Sequence, residues 1–186
     1  MVTDYFVKET NNPWRTRIYI GTEEVAEIRT REDLTYVLSA KNGDEWTLNA
    51  RVYGEIRPFS MTVNQSKAQG TRDFTSGRTV LIIRDHLFLH NGKFYTLAST
   101  PEGRPLKEFL LGKRYICRLD NFPFSDLTEI DHETRSRLKR FRGPAVGELD
   151  ALGKEGHRVH LSDELEDIGL PLAASCYLLY LLYSTA

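Results

Sequence analysis

The chain has 186 residues, enough for one domain with a sizeable core and short for two, so we expect a single domain over residues 1–186. Its 25 Lys and Arg side chains nearly balance 26 Asp and Glu, and the formal net charge of −1 argues against a globally charged nucleic-acid binder. Apolar residues at 40% and charged residues at 27% are typical of a folded globular protein and exclude a disordered one.

The first half of the chain predicts short strands. Residues 24–29 alternate apolar and charged side chains, the pattern of a strand with one face in water. The strand candidates 34–40 and 46–50 flank Asn42-Gly43, a pair that supplies the positive φ of a tight hairpin turn. We expect the polar, glycine-containing segment 64–77 to be a loop.

Strand candidates continue from Thr79 to Asp120, with a second Asn-Gly turn at residues 91 and 92. One amphipathic surface helix interrupts them. Asp126 and Glu129 have the spacing of a capping box, Gly143 ends the helix, and four apolar side chains recur on one helical face: Leu127, Ile130, Leu138 and Phe141.

The sharpest local feature is a basic run near the end of that helix, which consists of Arg135, Arg137, Lys139, Arg140 and Arg142. Cations grouped in this way attract anionic lipid headgroups at about 1 kcal/mol each near a surface. Nucleic-acid phosphates are a weaker alternative. Acidic residues precede the run, so the preference of a helix dipole for bases at its C-terminus also explains the pattern without any ligand.

The C-terminal segment Ile168–Ala186 has no charged residue. Pro171 fits the first turn of a helix, which then extends from Leu170 to Ser184 over about 21 Å. That length is short of a bilayer core of about 30 Å, and no Lys or Arg flanks it as an anchor. A buried helix is therefore favoured over a C-terminal tail anchor.

These elements predict a mainly β (α+β) fold. The strands are polar on one face, whereas the terminal helix is apolar on every side. A closed antiparallel β-barrel wrapped around the hydrophobic C-terminal helix gives every apolar face a partner and removes the sheet edges. An open sheet packed on one side of the helix is the rival arrangement.

No residue pattern predicts catalysis, a metal site or a cofactor. The sequence holds no nucleophile elbow, phosphate-binding loop or paired-cysteine motif. His86 and His90 are too far apart along a strand to share a metal, and His157 and His160 point to opposite faces, so we expect ordinary surface histidines. We therefore expect no catalytic residue, and the enzyme alternative is a site of unknown class in the barrel-end loops.

The N-terminus has no secretory-signal pattern, and Cys117 and Cys176 do not form a disulfide framework. Cys176 lies in the apolar segment, where a free thiol behaves as a small buried hydrophobe. The cytoplasm is the expected compartment.

The chain resembles the tubby-like superfamily, which comprises tubby C-terminal domains, phospholipid scramblases and LURP-one-related proteins. The strand-rich body, strand openings such as Val146-Gly147-Glu148-Leu149 and the apolar ending Leu170–Leu179 carry the resemblance, which covers the chain from about Arg15. It implies a closed barrel threaded by the C-terminal helix, and family functions that include phosphoinositide binding and membrane association. No Pro-rich N-terminal arm or calcium loop is present, which argues against lipid scrambling.

The resemblance and the basic run together predict a non-enzymatic binding or scaffold module, peripheral at membranes and monomeric. Anionic lipid headgroups are its expected ligand, alongside a protein partner that the sequence does not identify. No headgroup-binding residue of the family matches a position in this chain.

Overall fold

The computed structural model describes residues 3–32, 34–52, 59–68, 77–84, 86–102, 112–123, 143–152 and 156–184. In chain order the strands are β1 (Thr3–Glu9), β2 (Arg15–Ile20), β3 (Glu23–Thr30), β4 (Thr35–Ala40), β5 (Glu45–Val52), β6 (Phe59–Lys67), β7 (Arg78–Arg84), β8 (Leu87–His90), β9 (Lys93–Ala98), β10 (Gly112–Leu119), β11 (Ala145–Ala151) and β12 (His157–Leu161). A 3-10 helix (Asp163–Ile168) leads directly into helix α1 (Gly169–Ser184).

The strands form one closed antiparallel barrel. Each strand pairs with its neighbours in sequence, and β1 closes the ring on β12 through the Tyr5–Val159 register. Both predicted Asn-Gly turns are confirmed as hairpin connections, because Gly43 has φ +101° and Asn91 and Gly92 have φ +53° and +74°. The predicted closed barrel is thereby confirmed, and the open-sheet rival is wrong.

The up-and-down order sorts the connections onto two ends of the barrel. One end, which we call the Trp14 rim, carries the β1–β2, β3–β4 and β11–β12 turns. The opposite rim carries the β2–β3, β4–β5 and β8–β9 turns and receives the 3-10 helix after β12. Helix α1 starts at the opposite rim and runs toward the Trp14 rim, where Tyr177 contacts Glu9 at the end of β1.

Helix α1 fills the barrel. All residues from Pro171 to Leu179 are buried, so no face of this part of the helix is wet. The apolar side chains of this stretch belong to one core together with inward-facing residues from all twelve strands. A barrel this wide leaves more space than strand side chains alone can fill, and the apolar helix occupies it. The predicted buried helix is confirmed.

The segment Asp163–Leu182 is also long and apolar enough to cross a membrane by length and composition, but 67% of its most apolar window is buried within the structure. A helix surrounded by barrel strands cannot contact lipid without leaving its core. The tail-anchor alternative therefore requires the barrel to open.

Three local predictions have other outcomes. Segment 64–77 is not wholly a loop, because β6 continues to Lys67. Within this strand the Asn64 side chain accepts a hydrogen bond from the Thr79 hydroxyl at 2.7 Å. The prediction of surface histidines is wrong for His90 and His157, which are buried on the inner side of the barrel. The predicted amphipathic surface helix lies outside the described residues.

Candidate functional site

The predicted anion-binding residues Arg135, Arg137, Lys139, Arg140 and Arg142 all lie outside the described residues. In the chain they fall between β10, which ends at Leu119, and β11, which starts at Ala145. The search for a site within the described parts of the chain therefore starts from the barrel interior and moves to its outer wall.

Among the described residues the interior is packed with helix side chains. Two of its polar groups form hydrogen bonds: Tyr177 donates to Glu9 Oε1 at 2.9 Å, and Ser175 donates to the Pro171 carbonyl at 2.6 Å. Burial raises the pKa of the Cys176 thiol to about 12, which leaves it an unreactive thiol at neutral pH. Among the described residues no group of three or more His, Cys, Asp and Glu side chains has the arrangement of a metal site.

The outer wall of β2 and β3 is a lattice of cross-strand ion pairs. Arg15 Nε lies 3.5 Å from Glu27 Oε1, and Arg17 Nε lies 3.8 Å from Glu24 Oε1. Lys41 from the β4–β5 turn approaches the same Glu24 oxygen at 3.7 Å. These half-exposed pairs neutralise each other, so the middle of this wall offers little net charge to a ligand.

The wall of β4, β5 and β6 differs, because hydroxyl and amide side chains replace the ion pairs. Along β5 and β6 the inward residues, Leu48 and Met61 among them, are apolar and buried, so the alternate residues face outward. These outward residues surround an open groove of about 550 Å³, lined by Thr35, Asn49, Ala50, Arg51, Ser60, Thr62 and Asn64. We call it the β4–β6 groove.

Hydrogen bonds fix the amide side chains of the groove. The Thr35 hydroxyl donates to Asn49 Oδ1 at 3.2 Å, and the Thr79 hydroxyl donates to Asn64 Oδ1 at 2.7 Å. An amide whose oxygen is engaged in this way keeps its NH₂ group as a donor. The groove is therefore rich in donors suited to the oxygens of a hydroxylated or anionic ligand.

Two arginines flank the end of the groove nearest the Trp14 rim. Ser60 lies directly opposite Arg51 on one neighbouring strand and directly opposite Arg84 on the other. Residues in direct register point to the same face, and two strand spacings place the two arginine backbones about 10 Å apart. The row therefore places one arginine position on each side of Ser60, and arginine is the cation whose planar fork matches phosphate.

A smaller cleft of about 420 Å³ lies at the opposite rim and includes Arg118, Lys93 and Phe122 in its lining. Its arginine is already occupied, because Arg118 Nε donates to Asp120 Oδ1 at 2.7 Å and Arg118 Nη1 donates to Glu164 Oε1. These partners raise the pKa of Arg118 and lock its charge in an internal network. The hydrogen bonds of Arg118 tie the 3-10 helix to the wall at this cleft.

Sequence reasoning missed the β4–β6 groove. The alternation of polar residues at 47, 49 and 51 and at 60, 62 and 64 is visible in the sequence, but it predicts only two strands with a wet face. Arg51, Ser60 and Arg84 form one row because of the strand register, which the alternation does not fix.

In comparisons with known proteins, no family model, curated protein or solved structure matches the chain.

Proposed function

We propose that the chain is a tubby-like binding or scaffold module without catalytic activity, which associates peripherally with anionic phospholipid or phosphoinositide surfaces in the cytoplasm. The observation that carries this proposal is a barrel whose interior is filled by its own helix. We therefore expect the ligand to bind outside, and the β4–β6 groove is the larger of the two concave sites described above.

The chemistry of the groove supports an anionic, hydroxyl-bearing ligand. Its threonines, serine and asparagines match the hydroxyl groups of a sugar or inositol ring, while the Arg51–Ser60–Arg84 row suits a phosphate. No nucleophile with an adjacent base lines the groove, so its residues favour binding over a reaction.

The basic run adds a second, less specific attraction. Arg137, Lys139 and Arg140 would each contribute about 1 kcal/mol near an anionic leaflet, whatever the headgroup. The proposal therefore separates two roles: the run increases affinity for any anionic surface, whereas the groove recognises a particular headgroup.

Vesicle co-sedimentation tests the proposal with the full chain. We expect binding to vesicles that contain phosphatidylserine or a phosphoinositide and none to phosphatidylcholine alone. Arg51→Glu should abolish any preference for the phosphoinositide, whereas the triple change of Arg137, Lys139 and Arg140 to Glu should weaken binding to every anionic vesicle.

Lys67→Glu is the matched control, because Lys67 is an exposed cation on the same strand as Ser60 but at the opposite rim. It makes the same charge change as Arg51→Glu outside the groove. Absence of binding to all anionic vesicles would refute the lipid function. Equal losses of phosphoinositide binding in Arg51→Glu and Lys67→Glu would show that the groove does not recognise the headgroup.

A further inference from the structure

Exposed apolar side chains concentrate at the Trp14 rim. Trp14 is 60% exposed in the β1–β2 turn, and Leu34 and Leu152, in the β3–β4 and β11–β12 turns, are each 37% exposed. Among the described residues the remaining large apolar side chain with comparable exposure is Ile20, at 41%, and it lies at the opposite rim. Three separate turns at one rim thus carry exposed apolar side chains, which we call the apolar tips.

The turn that carries Trp14 is held in shape by its own hydrogen bonds. The Trp14 amide donates to Asn12 Oδ1 at 3.0 Å, and the Trp14 carbonyl accepts from the Thr30 amide of β3 at 2.9 Å. The Thr10 hydroxyl donates to the Arg15 carbonyl at 2.8 Å. The turn that carries the exposed indole is therefore fixed by hydrogen bonds of its own.

Leu34 is presented at a cost in backbone energy. Its φ is +57°, a left-handed conformation that Asn or Gly adopts readily and Leu does not. Its amide plane is fixed, since the Leu34 carbonyl accepts from the Ala50 amide at 3.0 Å. Because the Leu34 side chain is exposed, its packing does not compensate for the strained backbone. Backbone strain without compensating packing is typical of functional positions.

Cations surround these tips. Arg15 and Arg29 lie directly opposite each other on β2 and β3, and Arg15 is also paired with Glu27. Exposed Arg31 follows in the β3–β4 turn, beside Leu34. The same turn also holds exposed Glu32, whereas the opposite rim carries exposed acids of the 3-10 helix together with exposed cations such as Lys41 and Lys67. The arginines are therefore a local feature beside the apolar tips.

We propose that the Trp14 rim is the face that enters the membrane, with Trp14, Leu34 and Leu152 inserted among the headgroups of an anionic leaflet and Arg15, Arg29 and Arg31 at its surface. This inference rests on the proposed lipid function and orients it. Tryptophan and leucine tips with flanking arginines are the composition of interfacial anchors. In this orientation the arginine end of the β4–β6 groove faces the headgroup layer, since Arg51 lies near the end of β5 at the same rim.

Trp14 reports its own position. The chain has two tryptophans, and Trp46 is buried in the core with 6% exposure. With phosphatidylserine vesicles we expect the emission of the full chain to shift to shorter wavelength and to be quenched by brominated acyl chains. Trp14→Phe, a change at an exposed position that leaves Trp46 as the sole tryptophan, should show neither effect.

Two substitutions at the Trp14 rim distinguish an effect on membrane insertion from an effect on the stability of the fold. Leu34→Asn fits the left-handed backbone better, so it should maintain or raise the melting temperature while it weakens vesicle binding about tenfold, as expected for loss of one inserted apolar side chain. Leu152→Ser should weaken binding to a similar extent. Ile20→Ser, the matched control at the opposite rim, should bind as the unmodified chain does.

The outcomes distinguish the two proposals. Vesicle binding with unshifted and unquenched Trp14 emission would overturn the insertion, keep the lipid function and leave the apolar tips to a protein partner. Equal effects of Leu34→Asn and Ile20→Ser on affinity would also overturn it. Absence of binding to every anionic vesicle would end the lipid function and this orientation together.

Discussion

His157 places an ionisable ring inside the barrel. The side chain is 1% exposed, both ring nitrogens lack a hydrogen-bond partner among the described residues, and the ring packs on Tyr177 and Tyr180 with centroid distances of 5.3 and 4.4 Å. Burial lowers the pKa of His157 from 6.5 to about 4. The folded chain therefore keeps this ring neutral at pH values where the unfolded chain protonates it.

The sign and size of the resulting pH dependence follow from linkage. The contribution of His157 to stability is undiminished above pH 6.5, declines as the pH falls toward 4, and is constant below that. The full difference, at 1.36 kcal/mol per pKa unit, is about 3 kcal/mol. Between pH 7 and pH 4.5 we expect His157 to account for a loss of about 2 kcal/mol in the free energy of unfolding.

Urea denaturation of the unmodified chain, His157→Phe and His160→Gln at both pH values measures this loss. His157→Phe keeps the aromatic contacts and removes the titration, so its loss of stability in acid should be smaller by about 2 kcal/mol. His160 lies on the same strand but faces outward and pairs with Asp4, so His160→Gln should retain the His157 contribution. An acid loss in His157→Phe equal to that of the unmodified chain would refute this reasoning.

Three further substitutions test the closure of the barrel, the packing of helix α1 and the attachment of the 3-10 helix. Gly156→Ala places a Cβ atom 2.1 Å from the Val7 carbonyl oxygen at φ +107°, so it should lower the melting temperature sharply; an unchanged value would contradict the tight β1–β12 contact. Leu178→Ala, at a side chain 2% exposed, should cost about 2–5 kcal/mol in urea denaturation, whereas a cost below about 1 kcal/mol would mean that Leu178 is not enclosed. Arg118→Gln removes the charged partner of Glu164 and should cost about 1–3 kcal/mol, with faster hydrogen exchange in the 3-10 helix as its signature; unchanged exchange there would refute the tether.

The architecture follows from the sequence because its two main signals are strong. Alternating polarity identifies strands such as β3. The uncharged segment from Leu170 forms a helix that is apolar on every face and must be buried against protein on all sides. Closing the strands around that helix is the arrangement that meets both demands, which is why the barrel could be predicted without its register.

The surface features could not be predicted in the same way. The Arg51–Ser60–Arg84 row and the clustering of Trp14 with Leu34 depend on which strands are neighbours and where each turn falls. Both arise from the ring order of the strands, which local periodicity does not specify. The burial of His157 did have a signal, because it alternates in phase with Val159 and Leu161 on the inner face of β12.

Thiol labelling of Cys176 tests most directly whether helix α1 is the permanent core of the barrel. Cys176 is fully buried at the centre of the helix, and Cys117→Ser removes the other thiol, which is buried on the outer side of the wall. In Cys117→Ser, we expect the free energy of opening that exposes Cys176, measured by labelling across a urea series, to equal the free energy of global unfolding. If the free energy of this opening is several kcal/mol below that of global unfolding, the helix leaves an intact barrel and is not its permanent core.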